Sequence, residues 1–342
     1  TRALSSAASD VYKRQGLRVF GIFGYLRAEA DIMDESIKYL FGPIPSRRLG
    51  RSLGVSPIPE QTCNYTCVYC QLGRTTHMTN KRQNFFPCEE ILEEFRRYTQ
   101  KEQNFDVVTV VGEGEPTLYE DLGRLLIGLK ELTDKPVAVI TNGALLYDKK
   151  VREDLCHADI VLPSMDAVDE EMFHKIDRPY GRIKFDQVCQ GLIDFSKEYQ
   201  EELYLEIMLL EGLNCDDESL DKFARMLKEI RYDRVYVNTA VRPPAEDNVV
   251  PADKETMERA AARLGAISID TLTSGSFISE IEDPMEAVVS ICRRHPMNQF
   301  EIQSFLDSRN VENSQEFFER LNKNPSLTVV HYKGISTYRY KE

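Results

Sequence analysis

The chain has 342 residues, 42% of them hydrophobic, with 56 Asp and Glu against 43 Lys and Arg, for a formal net charge of −13. That length is ample for one large domain plus a small one, and the acidity argues against broad, non-specific nucleic-acid binding while leaving room for a local basic patch. No apolar run reaches the ~18 residues of a transmembrane helix, no basic start and apolar core mark a signal peptide, and eight cysteines without a paired framework suit a reducing cytoplasm.

The first 33 residues stand apart. The run Asp10-Val11-Tyr12-Lys13-Arg14-Gln15 can be back-translated into a sequence that resembles a transposon end used to prepare sequencing libraries. Residues 1–15 are therefore expected to be a translated assembly scar and 16–32 a doubtful extension, with Met33 the expected start.

Beyond Ser36, β-rich runs alternate with amphipathic stretches. Strands are predicted over 52–56, 107–111, 137–141, 160–162, 204–209 and 234–238, and helices over 88–100, 119–132, 148–155, 185–198 and 217–230. The strand runs are mostly Val, Ile and Leu, the pattern of parallel strands buried on both faces. Pro87 followed by acidic residues is a helix-start signal. Six strand–helix units in series predict a parallel sheet with right-handed crossovers, short of the eight units that close a full barrel. The expected fold class is α/β, a partial (βα)6 barrel of TIM type.

Arg242-Pro243-Pro244-Ala245-Glu246-Asp247 breaks the series. A further helix is predicted over 253–264, a linker over 265–275, helices over 284–294, 298–308 and 314–323, and a hairpin of 327–332 with 335–340 across Lys333-Gly334. Three short helices followed by a β-ribbon resemble a winged helix-turn-helix. The expected domains are 1–33 (scar and extension), 34–250 (barrel), 251–282 (helix and linker) and 283–342 (winged helix). That last domain carries eight basic and eight acidic residues, and Glu316 and Glu319 sit on its third helix. Both features argue against DNA binding.

The chemistry is concentrated in Cys63-Asn64-Tyr65-Thr66-Cys67-Val68-Tyr69-Cys70. This spacing brings three thiolates into one short loop, enough for three corners of a cuboidal iron–sulfur cluster with one iron left open. The rival readings are a zinc ion shared with a distant His, or ordinary buried thiols. Structural zinc sites usually pair two ligand sets, and no second Cys-x2-Cys or His-x3-His is present. Cys88, Cys156, Cys189, Cys215 and Cys292 are scattered singly and read as small buried residues.

Further candidates sit at predicted strand ends, where barrels of this type carry their sites. They are Gly112-Glu113-Gly114-Glu115-Pro116, Thr141-Asn142-Gly143 and Ser164-Met165-Asp166. Glycines let a ligand approach the backbone, and a carboxylate receives an ammonium group; taken alone, each segment would be a strand-ending turn. Arg47, Arg48 and Arg51 enter the first strand of an otherwise acidic chain. They are either a solvated face or forks for an anionic substrate group or carboxylate. Asn238 and Arg242 near the end of the sixth strand are similar candidates.

With Tyr69 before the third cysteine, the motif resembles the radical S-adenosylmethionine (radical SAM) superfamily, whose hallmark is Cys-x3-Cys-x-aromatic-Cys. The resemblance implies an open partial barrel, a 4Fe-4S cluster on Cys63, Cys67 and Cys70, and SAM as second cofactor. It implies that Gly112, Gly114, Glu115 and Pro116 hold the SAM amine, although Glu113 replaces the first glycine of the family's Gly-Gly-Glu-Pro. Thr141, Asn142, Ser164 and Asp166 are implied SAM contacts. Tyr69 is expected near the adenine, with Met208 and Leu210 on its other side.

The run Pro45-Ser46-Arg47-Arg48-Leu49-Gly50-Arg51-Ser52-Leu53-Gly54 and the following cysteine loop are similar to an Fe–S oxidoreductase branch of that superfamily, related to tRNA wyosine-synthesis enzymes. The resemblance covers about residues 41–244. It implies reductive SAM cleavage, a 5′-deoxyadenosyl radical that abstracts hydrogen, and a one-electron reductant such as flavodoxin or ferredoxin. The substrate is expected to be a tRNA nucleotide or a peptide. The alternative is a cluster-bearing redox regulator with a winged-helix output domain and no catalysis.

Overall fold

In a computed structural model, which describes residues 37–101, 104–269, 277–279, 281–311, 313–332 and 334–341, all six Val/Ile/Leu runs form strands. The expected scar and extension at 1–33, and most of the linker 265–275, lie outside the described residues. Within the unit 39–342, the main sheet begins with β1 (Leu40–Ser46) and β2 (Gly50–Val55). After the small pair β3 (Thr62–Cys63) and β4 (His77–Met78) it continues with β5 (Val107–Val110), β6 (Val137–Thr141), β7 (Ile160–Pro163), β8 (Glu202–Met208), β9 (Arg234–Asn238) and β10 (Ile267–Ser268).

The spatial order β1-β2-β5-β6-β7-β8-β9-β10 follows the chain order. From β2 onward neighbouring strands are parallel, so each crossover runs the same way and lays its helix on the same face. The helices are α1 (Cys88–Lys101), α2 (Leu122–Leu132), α3 (Lys149–Leu155), α4 (Glu170–Ile176), α5 (Phe185–Glu198), α6 (Asp217–Leu227) and α7 (Lys254–Leu264). Alternate strand residues divide between two cores. Val107, Ala138, Leu162, Tyr204 and Tyr236 form one cluster with Ile269, filling the floor of the lumen. The intervening Val108, Val139, Val161, Leu205 and Val237 are fully buried beneath the helices.

Several elements were not expected. β1 pairs antiparallel to β2 as an edge strand; its Gly42-Pro43-Ile44-Pro45 reads locally as a turn, yet proline is tolerated where one edge needs no donor. α4 is only seven residues long and is capped by the Asp169 side chain on the Met172 N–H. β10 falls in the expected linker, so the 251–282 segment supplies α7 and the last strand of the sheet, and the wall runs past residue 250.

The C-terminal region contains α8 (Pro284–Arg294), β11 (Met297–Asn298), α9 (Gln299–Ser308), α10 (Ser314–Leu321), β12 (Leu327–Tyr332) and β13 (Ile335–Tyr340). The hairpin has the predicted bounds, and β11, too short to read from sequence, adds a third strand in the order β11-β13-β12. Asn298 and Glu301 form a reciprocal capping box at the start of α9. The core of this region, including Ile291, Ile302, Phe305, Leu306 and Leu321, also takes in Ile44 of β1. It therefore packs on the edge of the barrel wall. Truncating Phe305, which is fully buried, to Ala is expected to cost about 3–5 kcal/mol, read as a lower urea-unfolding midpoint; an unchanged midpoint would show that this core lies outside the cooperative unit.

Candidate active site

The segment after β2 alternates between anchors and cysteines. Asn64, Tyr65 and Val68 are buried, whereas Cys63, Cys67, Cys70 and Tyr69 are half-buried. Tyr65 packs with Ala144, Ala167, Phe173 and Ile183, and Val68 with Ile176, Leu210, Ala240 and Val249. The backbone is tied down as well: Val68 N–H donates to the Ile176 carbonyl at 2.9 Å and Thr79 N–H to the Cys63 carbonyl at 3.0 Å. Apolar anchoring of the intervening residues thus leaves the thiols facing a cavity of about 300 Å³.

The three cysteines share that cavity with Tyr69, Gly112, Gly114, Met208, Asn238 and Arg242, and with Arg48 and Glu206 deeper in the barrel. Among the described residues no three His, Cys, Asp or Glu side chains come close enough to hold a single metal ion. Three thiols spread round one cavity fit the donor set of a polynuclear iron–sulfur cluster better than one tetrahedral ion. Burial pushes all three thiols up; the Glu115 charge adds to this at Cys63 and the Asp177 charge at Cys67. A cation bound among them would draw off those protons.

The acidic strand-end motif works mainly inside the protein. The Glu115 carboxylate accepts from Thr117 N–H at 2.9 Å, Thr117 Oγ1 at 2.6 Å, Thr141 Oγ1 at 2.6 Å and Asn142 N–H at 2.7 Å. It is buried, and burial raises its pKa while these donors lower it. Bonded to these four donors, the Glu115 side chain braces the loop, and it is not among the residues that line the cavity. Pro116 opens the 3₁₀ turn Pro116–Leu118 that Glu115 caps. Gly114 is glycine for the same reason: a Cβ there would stand 1.8 Å from the Thr62 carbonyl oxygen, so the strand-end loop and the cysteine loop meet backbone to backbone.

Asn142 extends the brace. Its Nδ2 donates to Asn64 Oδ1 at 2.7 Å, Asn64 Nδ2 donates to Asn80 Oδ1 at 3.2 Å, and Asn80 Nδ2 donates to Tyr147 OH at 3.0 Å. Thr141 is buried and bonded to Glu115. Ser164, Asn142 and Asp166 line a separate recess of about 30 Å³. Asp166 Oδ2 accepts from Tyr69 OH at 2.5 Å and Oδ1 from Met208 N–H at 2.7 Å, which fixes two cavity-lining residues; burial pushes its pKa up to about 6. Leu210 is fully buried in the core beneath Val68 and does not line the cavity.

The arginines separate sharply. Arg51 is exposed and paired with Asp106 at 2.8 Å at the start of β5, away from the cavity lining. Arg47 does not line the cavity either; its charge acts, with those of Arg242 and Arg48, on His295. Arg48 reaches the lumen and pairs with Glu206; burial lowers its pKa to about 10. Asn238 Nδ2 stands 3.5 Å from Glu206 Oε1. Arg242 makes a two-pronged pair with Glu301 of α9, both at 3.0 Å, and donates to His295 Nε2 at 2.7 Å. Burial, reinforced by those arginines, keeps His295 well below the ordinary imidazole range, so the neutral ring can accept that bond.

Residues missed in the sequence include Asp177, 3.6 Å from Cys67 Sγ, and the pair of Glu113 with Arg294 of α8 at 3.6 Å. One signal was available: Glu206 is a charged residue inside the apolar run 203–208, on the same face as Tyr204 and Met208. Replacing Gly114 by Ala is expected to cost about 1–3 kcal/mol by overpacking and to lower iron uptake, because the atom met is backbone. A wild-type unfolding midpoint and full iron loading would contradict that contact.

The radical SAM superfamily matches this chain over residues 58–227. A UPF0026 protein of Methanocaldococcus jannaschii is 34% identical over 307 residues, covering 87% of this chain and 94% of that protein. A GTPase Obg of Brachyspira hyodysenteriae is 41% identical over 223 residues, or 65% of this chain, which spans only 33% of that protein's length. Among solved structures, a radical SAM methyltransferase from Sphaerobacter thermophilus aligns with a TM-score of 0.49 and 15% identity, over 64% of this chain and 67% of that one. The chain belongs to the radical SAM superfamily, among its UPF0026 proteins.

Proposed function

We propose that Cys63, Cys67 and Cys70 hold a 4Fe-4S cluster, that SAM lies against it in the shared cavity, and that the substrate is a peptide reaching the barrel lumen. Superfamily membership makes the chain a radical SAM enzyme, with such a cluster and SAM as its cofactors. The observation that carries the site assignment is the single cavity lined by all three thiols, Tyr69 and the ends of β8 and β9. Bound there, the cofactors supply one-electron reductive cleavage of SAM to methionine and a 5′-deoxyadenosyl radical that takes hydrogen from the substrate.

The protein's own residues orient and enclose. Asp166 fixes the Tyr69 ring and the Met208 backbone. Glu115 and Asn142 hold the cysteine loop against the strand ends. Arg48, Glu206 and Asn238 supply a mixed donor and acceptor set deeper in the cavity. The C-terminal region, read as a winged-helix type, serves as a wall: Tyr332 OH donates to the Ala240 carbonyl at 3.1 Å and Arg242 grips Glu301.

Charge pairing favours a peptide over a tRNA nucleotide. Arg48, Arg74 and Arg242 on the cavity wall are each paired with a carboxylate: Glu206, Glu246 and Glu301. Guanidinium groups already neutralised make a poor phosphate site. Among the described residues no helix is long and apolar enough to cross a membrane. A flavodoxin- or ferredoxin-type reductant and a cytoplasmic setting belong to the same reading. No observation favours the non-catalytic regulator.

Anaerobic reconstitution with iron, sulfide and dithionite should give protein that converts SAM to 5′-deoxyadenosine, and Cys67→Ala should reduce this to background. Fully loaded protein that cleaves no SAM with any reductant would sink the catalytic reading. Product formation should rise with a cell-derived peptide fraction and not with bulk tRNA; the reverse response would overturn the peptide assignment. Glu206→Gln, which removes the partner of Arg48, should leave iron loading intact and lower peptide-stimulated turnover roughly 10²-fold by misplacing the substrate, measured as deoxyadenosine released per minute.

A further inference from the structure

Acidic residues are spread through this chain, yet none stands between Gln61 and Cys88, the stretch that holds the cysteine loop. Two segments are bonded to the backbone of that loop, and both carry cations into solvent. In the first, Thr75 Oγ1 donates to the Tyr65 carbonyl at 2.6 Å and Thr79 N–H to the Cys63 carbonyl at 3.0 Å, which places Arg74 and Lys81 beside the loop. In the second, the Arg178 carbonyl accepts from Thr66 N–H at 3.3 Å and Tyr180 N–H donates to the Asn64 carbonyl at 2.8 Å, which brings Arg178 and Arg182 there as well. All four basic residues are exposed. Between Arg74 and Lys81 lies Met78, 37% exposed and the register partner of Cys63 across β3 and β4.

Two carboxylates answer these four cations. Glu246 is shared by Arg74 and Arg178, at 2.9 and 2.6 Å, and the Asp247 charge also acts on Arg74. Lys81 and Arg182 make no ion pair among the described residues. The patch therefore keeps a positive charge within a chain of net charge −13. A local reversal of sign steers an oppositely charged partner to one place and turns it away from the rest of the surface. An apolar centre within a charged rim has the make-up of a docking site, and a patch this small suits the brief encounters of electron carriers, whose interfaces are among the smallest. A nucleic acid would need a longer run of unshared cations.

We propose that Arg74, Lys81, Arg178 and Arg182, set round Met78, form the docking surface for an acidic one-electron carrier protein that reduces the iron–sulfur cluster. The inference rests on the cluster reading given above. Electron transfer falls off steeply with distance, and these residues border the loop of Cys63 and Cys67 through its own backbone contacts. The carrier loses one electron and the cluster gains it; no bond is made or broken. In that reading SAM and substrate occupy the main cavity. Met78, Lys81, Arg178 and Arg182 do not line it, so a carrier seated on them leaves it free.

The test takes the reconstituted full chain and a flavodoxin of net negative charge. Binding of oxidised flavodoxin is measured by titration calorimetry at low ionic strength. SAM cleavage is driven either by flavodoxin with its NADPH-dependent reductase or by dithionite, which needs no docking surface. Lys81→Glu combined with Arg182→Glu should raise the Kd for flavodoxin about tenfold and lower flavodoxin-driven turnover to match, with iron loading and dithionite-driven turnover unchanged. Added salt should weaken wild-type binding toward that of the variant, because the charges are exposed. A variant Kd equal to wild type overturns the proposal, as does a wild-type Kd indifferent to salt; a tRNA affinity lost in its place would assign the patch to nucleic acid. Equal loss of turnover with both reductants overturns it too, since the patch would then serve the substrate or the fold. Should charge reversal impair iron loading, Lys81→Gln with Arg182→Gln removes the same charges; a Kd about threefold higher then supports the proposal, and an unchanged one overturns it. Wild-type protein that cleaves no SAM with dithionite refutes the cluster reading itself, whereas wild-type protein that responds to dithionite and binds no flavodoxin refutes the docking surface alone.

Discussion

The carboxylate of Glu115 accepts four hydrogen bonds at the end of β5, and the position of the cysteine loop follows from them. Two donors come from the turn that Glu115 caps and two from the end of β6, so one side chain locks neighbouring strand ends together. Hydrogen bonds to a charged acceptor contribute about 1.5–3 kcal/mol each, which offsets the several kcal/mol that burying an ion costs. From there Asn142 passes the constraint to Asn64, between the first two cysteines. The close approach of Gly114 to Thr62 completes the contact from the other side.

Periodicity and local chemistry were readable without coordinates. The six apolar runs, the capped helices and the terminal hairpin all appear with nearly the expected bounds, because each is fixed by its own side-chain pattern. The cysteine spacing likewise speaks for itself. Partner choice was not readable. Nothing near Glu115 in sequence reveals that Thr141 and Asn142, 26 and 27 positions away, donate to its carboxylate. Leu210 looked equivalent to Met208, two residues earlier on the same chain run, until β8 ended and Leu210 turned into the core under Val68. The three arginines of the first strand looked alike, yet one meets Glu206 in the lumen and another Asp106 on the surface. β1 escaped notice because its prolines describe a turn locally and an edge strand only in the presence of β2.

The C-terminal region changes meaning when its contacts are traced. As an isolated pattern it suggested a separable recognition module. In the fold it shares Ile44 with the β1 edge, grips Arg242 beyond β9 and sets Arg294 against Glu113 of the strand-end motif. That last pair gives a physical account of the residue that departs from the family's Gly-Gly-Glu-Pro: a carboxylate is present where a cation from α8 arrives. Among the described residues the sheet runs from β1 to β10 without closing, and this region contacts both β1 and the segment after β9.

The series Asn142, Asn64, Asn80 and Tyr147 is built from carboxamides and a phenol. Carboxamides neither gain nor lose protons across the physiological range, and their dipoles feel little of the ionic atmosphere that weakens exposed ion pairs. Beyond the Glu115 carboxylate, the cysteine loop is thus tied to the barrel by neutral links. Those links should hold through changes of salt that would loosen the exposed Arg74 contact to Glu246, giving the cysteine loop a tie to the barrel that does not itself titrate.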